Sequence, residues 1–192
     1  MLHTFVAYVE DKPGVLTRVA SLFRRLNINI ISLTVGRSER EGLSRLTLVC
    51  EASAEAGDRI RASLFKLENI LDVDDIAGAP AVTRELALIK VAATRHTRSA
   101  IFELVEVFRA RIVDLTADSL MIEMTGVESK IEGLIQVLNE SESRILEICR
   151  SGKMTMRRGH HTSGVLRAMG AGENVTDEAE RAVEEAAVVE PE

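Results

Sequence analysis

At Val9-Glu10-Asp11-Lys12-Pro13-Gly14-Val15-Leu16 an apolar run ends, the chain turns and a helical pattern begins. Pro13 presets φ and has no N–H to leave unpaired, so it suits the first turn of a helix. Gly14 lets another group approach the backbone closely. Amides at a helix start are open donors at the positive end of the helix dipole, where a small anion can sit. Asp11 sets a carboxylate beside them. The turn thus has the chemistry of a receptor for a zwitterion, with carboxylate on the amides and ammonium on Asp11. Ordinary strand-to-helix capping accounts for the same residues.

On either side of the turn, residues 2–10 read as a strand, and Val15, Leu16, Val19, Ala20, Leu22, Phe23 and Leu26 recur at helical spacing. Residues 28–35 are β-branched and apolar, 36–42 form a charged, Gly-bounded hairpin loop, and 43–50 alternate as a half-buried strand. Ser53 is a suitable N-cap for a helix carrying Ile60, Leu64 and Leu67, and residues 70–76 give a fourth strand. The order β-α-β-β-α-β packs naturally as a ferredoxin-like sheet with both helices on one face.

After a break at Gly78-Ala79-Pro80-Ala81 the same order runs again: a strand at 86–92, a helix at 99–109, a hairpin of 112–116 and 119–125, a helix marked by Ile131, Leu134, Ile135 and Leu138, and a strand at 144–149. The fold class is α+β, two tandem ferredoxin-like βαββαβ units. The expected domains are 1–78, a linker at 79–83, 84–160, and a tail at 161–192 whose composition predicts disorder. In the second unit Thr94-Arg95-His96-Thr97-Arg98-Ser99 replaces the Asp-x-Pro-Gly turn. That unit keeps the scaffold without the receptor signature.

The formal net charge is −6 over 192 residues, but the stretch from Ala171 onward carries −7 and the remainder +1. A near-neutral body with no Trp and 3% aromatic residues lacks the basic footprint and stacking platforms of a nucleic-acid binder. Cys50 and Cys149 are far apart in apolar runs and are expected to be buried, reduced core residues. The chain opens straight into a strand pattern and has no apolar run of membrane-spanning length, so a cytoplasmic protein with no membrane partner is expected.

Catalytic and metal-binding patterns are missing. Gly42-Leu43-Ser44-Arg45-Leu46 starts like a nucleophile elbow but ends in Leu and lies within a strand. His160-His161 has no accompanying ligands and reads, with Arg157 and Arg158, as solvated basic surface. Asp72, Asp74 and Asp75 alternate across a strand and read as a solvated strand end. No phosphate-cradling Gly-rich fingerprint occurs.

The pattern Asp11-Lys12-Pro13-Gly14-Val15-Leu16, Leu22-Phe23, Asn27-Ile28-Asn29-Ile30 and Ser32-Leu33-Thr34-Val35 resembles the ACT domain, a small regulatory ligand-binding module. Within that superfamily it is similar to the small regulatory subunits of acetohydroxyacid (acetolactate) synthase. Val107-Phe108-Arg109, Ile112-Val113-Asp114, Arg150-Ser151-Gly152 and Arg158-Gly159 extend the likeness to about residues 2–160. The resemblance implies an N-terminal ACT domain, an ACT-like C-terminal domain and a non-catalytic subunit of branched-chain amino acid biosynthesis. Such a subunit activates a large catalytic subunit and confers allosteric feedback inhibition by valine. It implies no cofactor on this chain, with thiamine diphosphate, Mg²⁺ and FAD on the catalytic partner. It also implies a homodimer or higher oligomer, with Asp11, Lys12, Pro13, Gly14 and Val15 of one protomer and Asn29 and Ile30 of the other forming the effector site. Asp11 stands where many members carry Asn, and it adds a charge. The rival classes are a free-standing ACT-type amino-acid sensor acting on another enzyme or a transcription factor, and an enzyme in its own right.

Overall fold

The computed structural model describes residues 1–141 and 143–159. They form two compact units: residues 1–31 and 35–81 with 157–159, and residues 32–34 with 82–156.

The elements of the first unit are β1 (Leu2–Glu10), α1 (Val15–Leu26), β2 (Ile30–Arg37, whose residues 32–34 group with the second unit), β3 (Leu43–Glu51), α2 (Ala54–Phe65) and β4 (Ile70–Asp75). The sheet order is β2-β3-β1-β4, with β1 antiparallel to both β3 and β4. Alternation along the central strand sends Phe5, Ala7 and Val9 to one face, where they meet Leu46, Leu48 and Cys50 and the helical residues Val19, Leu22, Phe23, Ile60 and Leu64. Val6 and Tyr8 point the other way and pack with Ile76, Ala79 and Ala81. Ser53 caps α2 as expected, its hydroxyl accepting from the Ala56 amide at 3.2 Å.

Two polar features of this unit differ from the sequence reading. Asp74 and Asp75 are not a solvated strand end: Asp74 accepts from Arg157 Nε and Nη2 at 2.7 and 2.9 Å, and Asp75 lies 2.6 Å from His3 Nδ1. Arg157 is therefore an ion-pair partner rather than open basic surface. His3 is 4% exposed, stacks on Phe5 and reaches the Ser53 carbonyl at 3.2 Å through Nε2. Gly57 leaves the space for that ring, since a Cβ there would fall 2.2 Å from His3 Cε1.

The second unit contains β5 (Ala81–Ala92), α3 (Arg98–Val107), β6 (Arg111–Leu115), β7 (Ser119–Gly126), α4 (Glu128–Glu140), β8 (Ile145–Arg150) and β9 (Met154–Arg157, whose last residue groups with the first unit). The order is β6-β7-β5-β8, and β9 also pairs with β5. Strand β5 starts at Ala81, earlier than its apolar pattern indicated, because its first half pairs with β9, a strand the sequence reading missed. Gly152, at φ 79°, stands in the three-residue break between β8 and β9. Arg150, at the end of β8, makes paired 2.9 Å hydrogen bonds to the buried Glu85 and a further bond to Glu132.

Cys50 is buried, and desolvation pushes its thiol up to about 11, so it is an inert core group. Cys149 is exposed, contrary to expectation. The β5–β8 register sets it opposite Leu88, alternating with the Ala87, Ile89 and Val91 positions that fill the helix-covered core.

Candidate functional site

The site is built from the end of β1 and the start of α1. Residues 11–14 are exposed, while Val9 and Val15 on either side are buried in the core and anchor the turn. The Asp11 amide donates to the Gly42 carbonyl at 2.8 Å and the Lys12 amide to the Glu10 carbonyl at 2.9 Å. Helix α1 begins at Val15 with Gly14 as its N-cap at φ 87°, ψ −11°. Pro13 thus lies one residue before the cap, not in the first helical turn, because the left-handed conformation of Gly14 separates it from the helix. That φ is the reason for a glycine here, and around it there is open space: a Cβ would meet nothing within 4 Å. No side chain caps α1, so its first amides are available to a ligand.

Asp11, Lys12, Pro13, Gly14 and Val15 are contiguous at this end of α1. Asn29 and Ile30 are not with them. They follow the other end of the helix, whose 12 residues span roughly 18 Å at 1.5 Å per residue. Asn29 is exposed and Ile30 half-buried at the start of β2, the outermost strand of the sheet. One small ligand cannot touch Gly14 and Asn29 of the same protomer.

Charged groups hold the turn from outside. Lys12 Nζ lies 2.9 Å from Glu10 Oε2, which also accepts from Asn69 Nδ2. The Lys12 and Asn69 hydrogen bonds keep the Glu10 carboxyl below its ordinary value. Arg18 donates to Asn69 Oδ1 and pairs with Glu68 at 2.9 Å. Arg18 and Asn69 escaped the sequence reading. The Glu68-Asn69 pair before β4 marks a turn, but nothing in the sequence tells what its side chains reach. A cavity of about 430 Å³ borders Asp11, between the turn and the β2–β3 hairpin, and is lined also by Arg37, Ser38, Arg40, Glu41, Gly42 and Leu43. Among the expected site residues only Asp11 faces it.

The remaining candidates do not form sites. Ser44 is buried within β3 opposite Val9, away from any strand-to-helix elbow. Among the described residues no group of His, Cys, Asp and Glu suits a metal ion, and no helix is long and apolar enough to cross a membrane. His160-His161 and the acidic tail lie outside the described residues.

Each unit matches a known family. Residues 5–72 match the AHAS small subunit-like ACT domain, and residues 84–159 match the small subunit of acetolactate synthase. Fold and turn together therefore define the class, a tandem of ferredoxin-like units led by an ACT domain. A probable acetolactate synthase small subunit of Archaeoglobus fulgidus is 46% identical over 160 residues, covering 83% of this chain and 99% of that protein. The acetolactate synthase small subunit of Mycobacterium leprae is 44% identical, covering 86% and 96%. The crystal structure of the small subunit from Thermotoga maritima superposes with a TM-score of 0.76 at 37% identity, covering 83% of this chain and 98% of that one. The chain belongs to the acetolactate synthase small-subunit family.

Proposed function

We propose that this chain activates the catalytic subunit of acetolactate synthase and makes it sensitive to feedback inhibition by valine. Thiamine diphosphate, Mg²⁺ and FAD belong to the catalytic partner, and both subunits work in the cytoplasm. The observation that carries the effector reading is the uncapped, exposed helix start at Gly14 and Val15 with Asp11 beside it. The amides take the amino-acid carboxylate and Asp11 the ammonium.

The separation of Gly14 from Asn29 supports a site shared between two copies. Strand β2 is an edge strand exposing Ile31, Leu33 and Val35 at 49, 38 and 40%. Antiparallel pairing of β2 with the β2 of a second copy covers that edge and brings the start of one strand to the far end of the other. Asn29 and Ile30 of the partner then close over the turn, and Lys12 and Pro13 shape its rim.

Calorimetry of the purified chain with valine, leucine and isoleucine, followed by titration of the chain into the catalytic subunit, tests this. Saturable valine binding and a rise in synthase activity that valine reverses are expected. Activation without any amino-acid binding overturns the effector assignment. Valine binding without activation favours a free-standing sensor.

A further inference from the structure

Asn69 is the residue through which the rest of the first unit grips the effector turn. It sits half-buried just before β4 in the left-handed conformation, at φ 71°, which Asn tolerates better than most residues. Three of its four polar groups are spent on the two sides of the turn. Its carbonyl accepts from the Glu10 amide at 2.9 Å, its Nδ2 donates to Glu10 Oε2, and its Oδ1 accepts from Arg18. Glu10 is the last residue of β1 and Arg18 lies in the first turn of α1, where its amide bonds the Gly14 carbonyl at 3.1 Å. One side chain thus spans the segment 11–14 from behind, leaving the outward amides open.

The two side chains most like it do this less well. Asp has no donor for Glu10 and would set two carboxylates in contact. Gln has a longer side chain and fits positive φ less well. Arg18 is in turn held by Glu68 at 2.9 Å, and Glu10 by Lys12 at 2.9 Å, so the two arms that Asn69 joins are each fixed a second time.

We infer that Asn69, with Arg18 and Glu10 as its arms, is the positioning residue of the effector turn: it sets the angle between β1 and α1 at which the Gly14 and Val15 amides present themselves to the ligand. The effect on ligand affinity rests on the effector reading above, whereas the effect on the turn does not.

The test uses the full chain with three substitutions. Asn69→Gly keeps the positive φ and removes both side-chain arms. Arg18→Met removes one arm while keeping the aliphatic stem. Ile60→Val trims the buried core of α2 away from the turn and serves as a control for general destabilisation. Hydrogen exchange of the Asp11 and Lys12 amides, both bonded to carbonyls in the native turn, reads the turn directly. Asn69→Gly is expected to speed their exchange about two- to tenfold beyond the control, the scale of losing a hydrogen-bonded contact, and Arg18→Met by less. Valine affinity measured well below the unfolding temperature is expected to fall by a similar factor in Asn69→Gly and to hold in Ile60→Val.

Exchange in the turn that matches the control in both variants overturns the inference. So does faster exchange with unchanged valine affinity in a chain whose wild type binds valine. Faster exchange in a wild-type background that binds no valine sustains the positioning role and overturns the effector reading instead. Should Asn69→Gly fail to fold, Arg18→Met decides by the same two readouts.

Discussion

The two βαββαβ units put a turn in the same place, between their first strand and first helix, and treat it in opposite ways. Both turns are pinned by one backbone bond to the loop of the following hairpin: Asp11 to the Gly42 carbonyl and Ala93 to the Asp118 carbonyl, each at 2.8 Å. Beyond that they diverge. Neither helix has a side-chain cap, but the first turn is braced from behind by Glu10, Asn69 and Arg18. The second consumes its own polar groups. The Thr94 amide donates to Thr97 Oγ1 at 3.0 Å, the Thr97 amide to Thr94 Oγ1 at 3.3 Å, and Arg98 Nη2 to the Thr116 and Ala117 carbonyls at 2.9 and 2.8 Å. Arg98 Nε still has no hydrogen-bond partner among the described residues, so this turn is held from within without being saturated. The first turn is fixed by side chains outside the segment 11–14, and the second largely by the side chains of its own residues 94–98.

Gly14→Asp breaks the comparison most strongly. It sets a carboxylate where the proposed effector site receives its ligand's carboxylate, and a side chain where the backbone holds φ 87°. Losing one charge-assisted hydrogen bond costs about 1.5–3 kcal/mol, one to two decades of affinity before repulsion is counted. Valine inhibition of the reconstituted synthase should weaken at least tenfold while activation persists. If activation collapses and valine sensitivity stays, the first turn is a docking element and the contrast between the turns is misread. The counterpart in the second unit is Arg98→Met, which removes the plug on the 116 and 117 carbonyls. It should cost about 1 kcal/mol in urea unfolding, because both carbonyls can turn to water, and should leave valine inhibition unchanged.

A second contrast lies in the helices. Gly57→Ala in α2 drives a methyl into the buried His3 ring, 2.2 Å from Cε1, and His3 cannot retreat without leaving Asp75 and the Ser53 carbonyl. Overpacking of this kind costs about 1–3 kcal/mol, more than the helix-propensity gain returns. Gly133→Ala in α4 meets the Phe108 ring, Cε1 at 3.5 Å and Cζ at 4.0 Å, in ordinary contact, and should stabilise by about 0.5–1 kcal/mol. Chemical denaturation of the two variants should therefore give opposite signs. A Gly57→Ala variant as stable as wild type would show that His3 moves freely.

The fold was legible because periodicity writes it directly. Phe5, Ala7 and Val9 alternate and Val15, Val19, Leu22 and Phe23 recur at helical spacing, so strand, turn and helix boundaries of the first unit emerge within a few residues. Strand β9 was illegible because it is only four residues long and its alternation runs opposite to burial, with Met154 and Met156 exposed and Thr155 buried. Cys149 misled because an apolar run such as Ile145–Arg150 does not say which face of its sheet is covered. At the site, the turn residues carried local signals that a reader can decode. The brace did not, since Asn69 meets Arg18 across 51 positions and Glu10 across 59. Tertiary hydrogen bonds between polar residues leave no period in the sequence.

The smallest effect separates the turns by their acid sensitivity. Hydrogen bonds from Lys12 and then Asn69 hold the Glu10 carboxyl below its ordinary value, so its folded pKa lies below its unfolded one. A group shifted in that direction contributes stability above its unfolded pKa and loses it as pH falls through the folded pKa. In the segment 93–98 that forms the second turn there is no carboxylate, so the turn itself has no such contribution to lose. Glu10→Gln should therefore lower the urea midpoint slightly at neutral pH, and the gap from wild type should close as pH falls below the ordinary glutamate range. The gap is small because Glu10 is solvent-screened and its partner Lys12 is exposed. The exchange rate of the Lys12 amide should follow the same course, since the brace weakens when Glu10 takes up a proton. A gap that is constant with pH would show that the glutamine variant differs from wild type by packing alone, and that the first turn is no more acid-sensitive than the second.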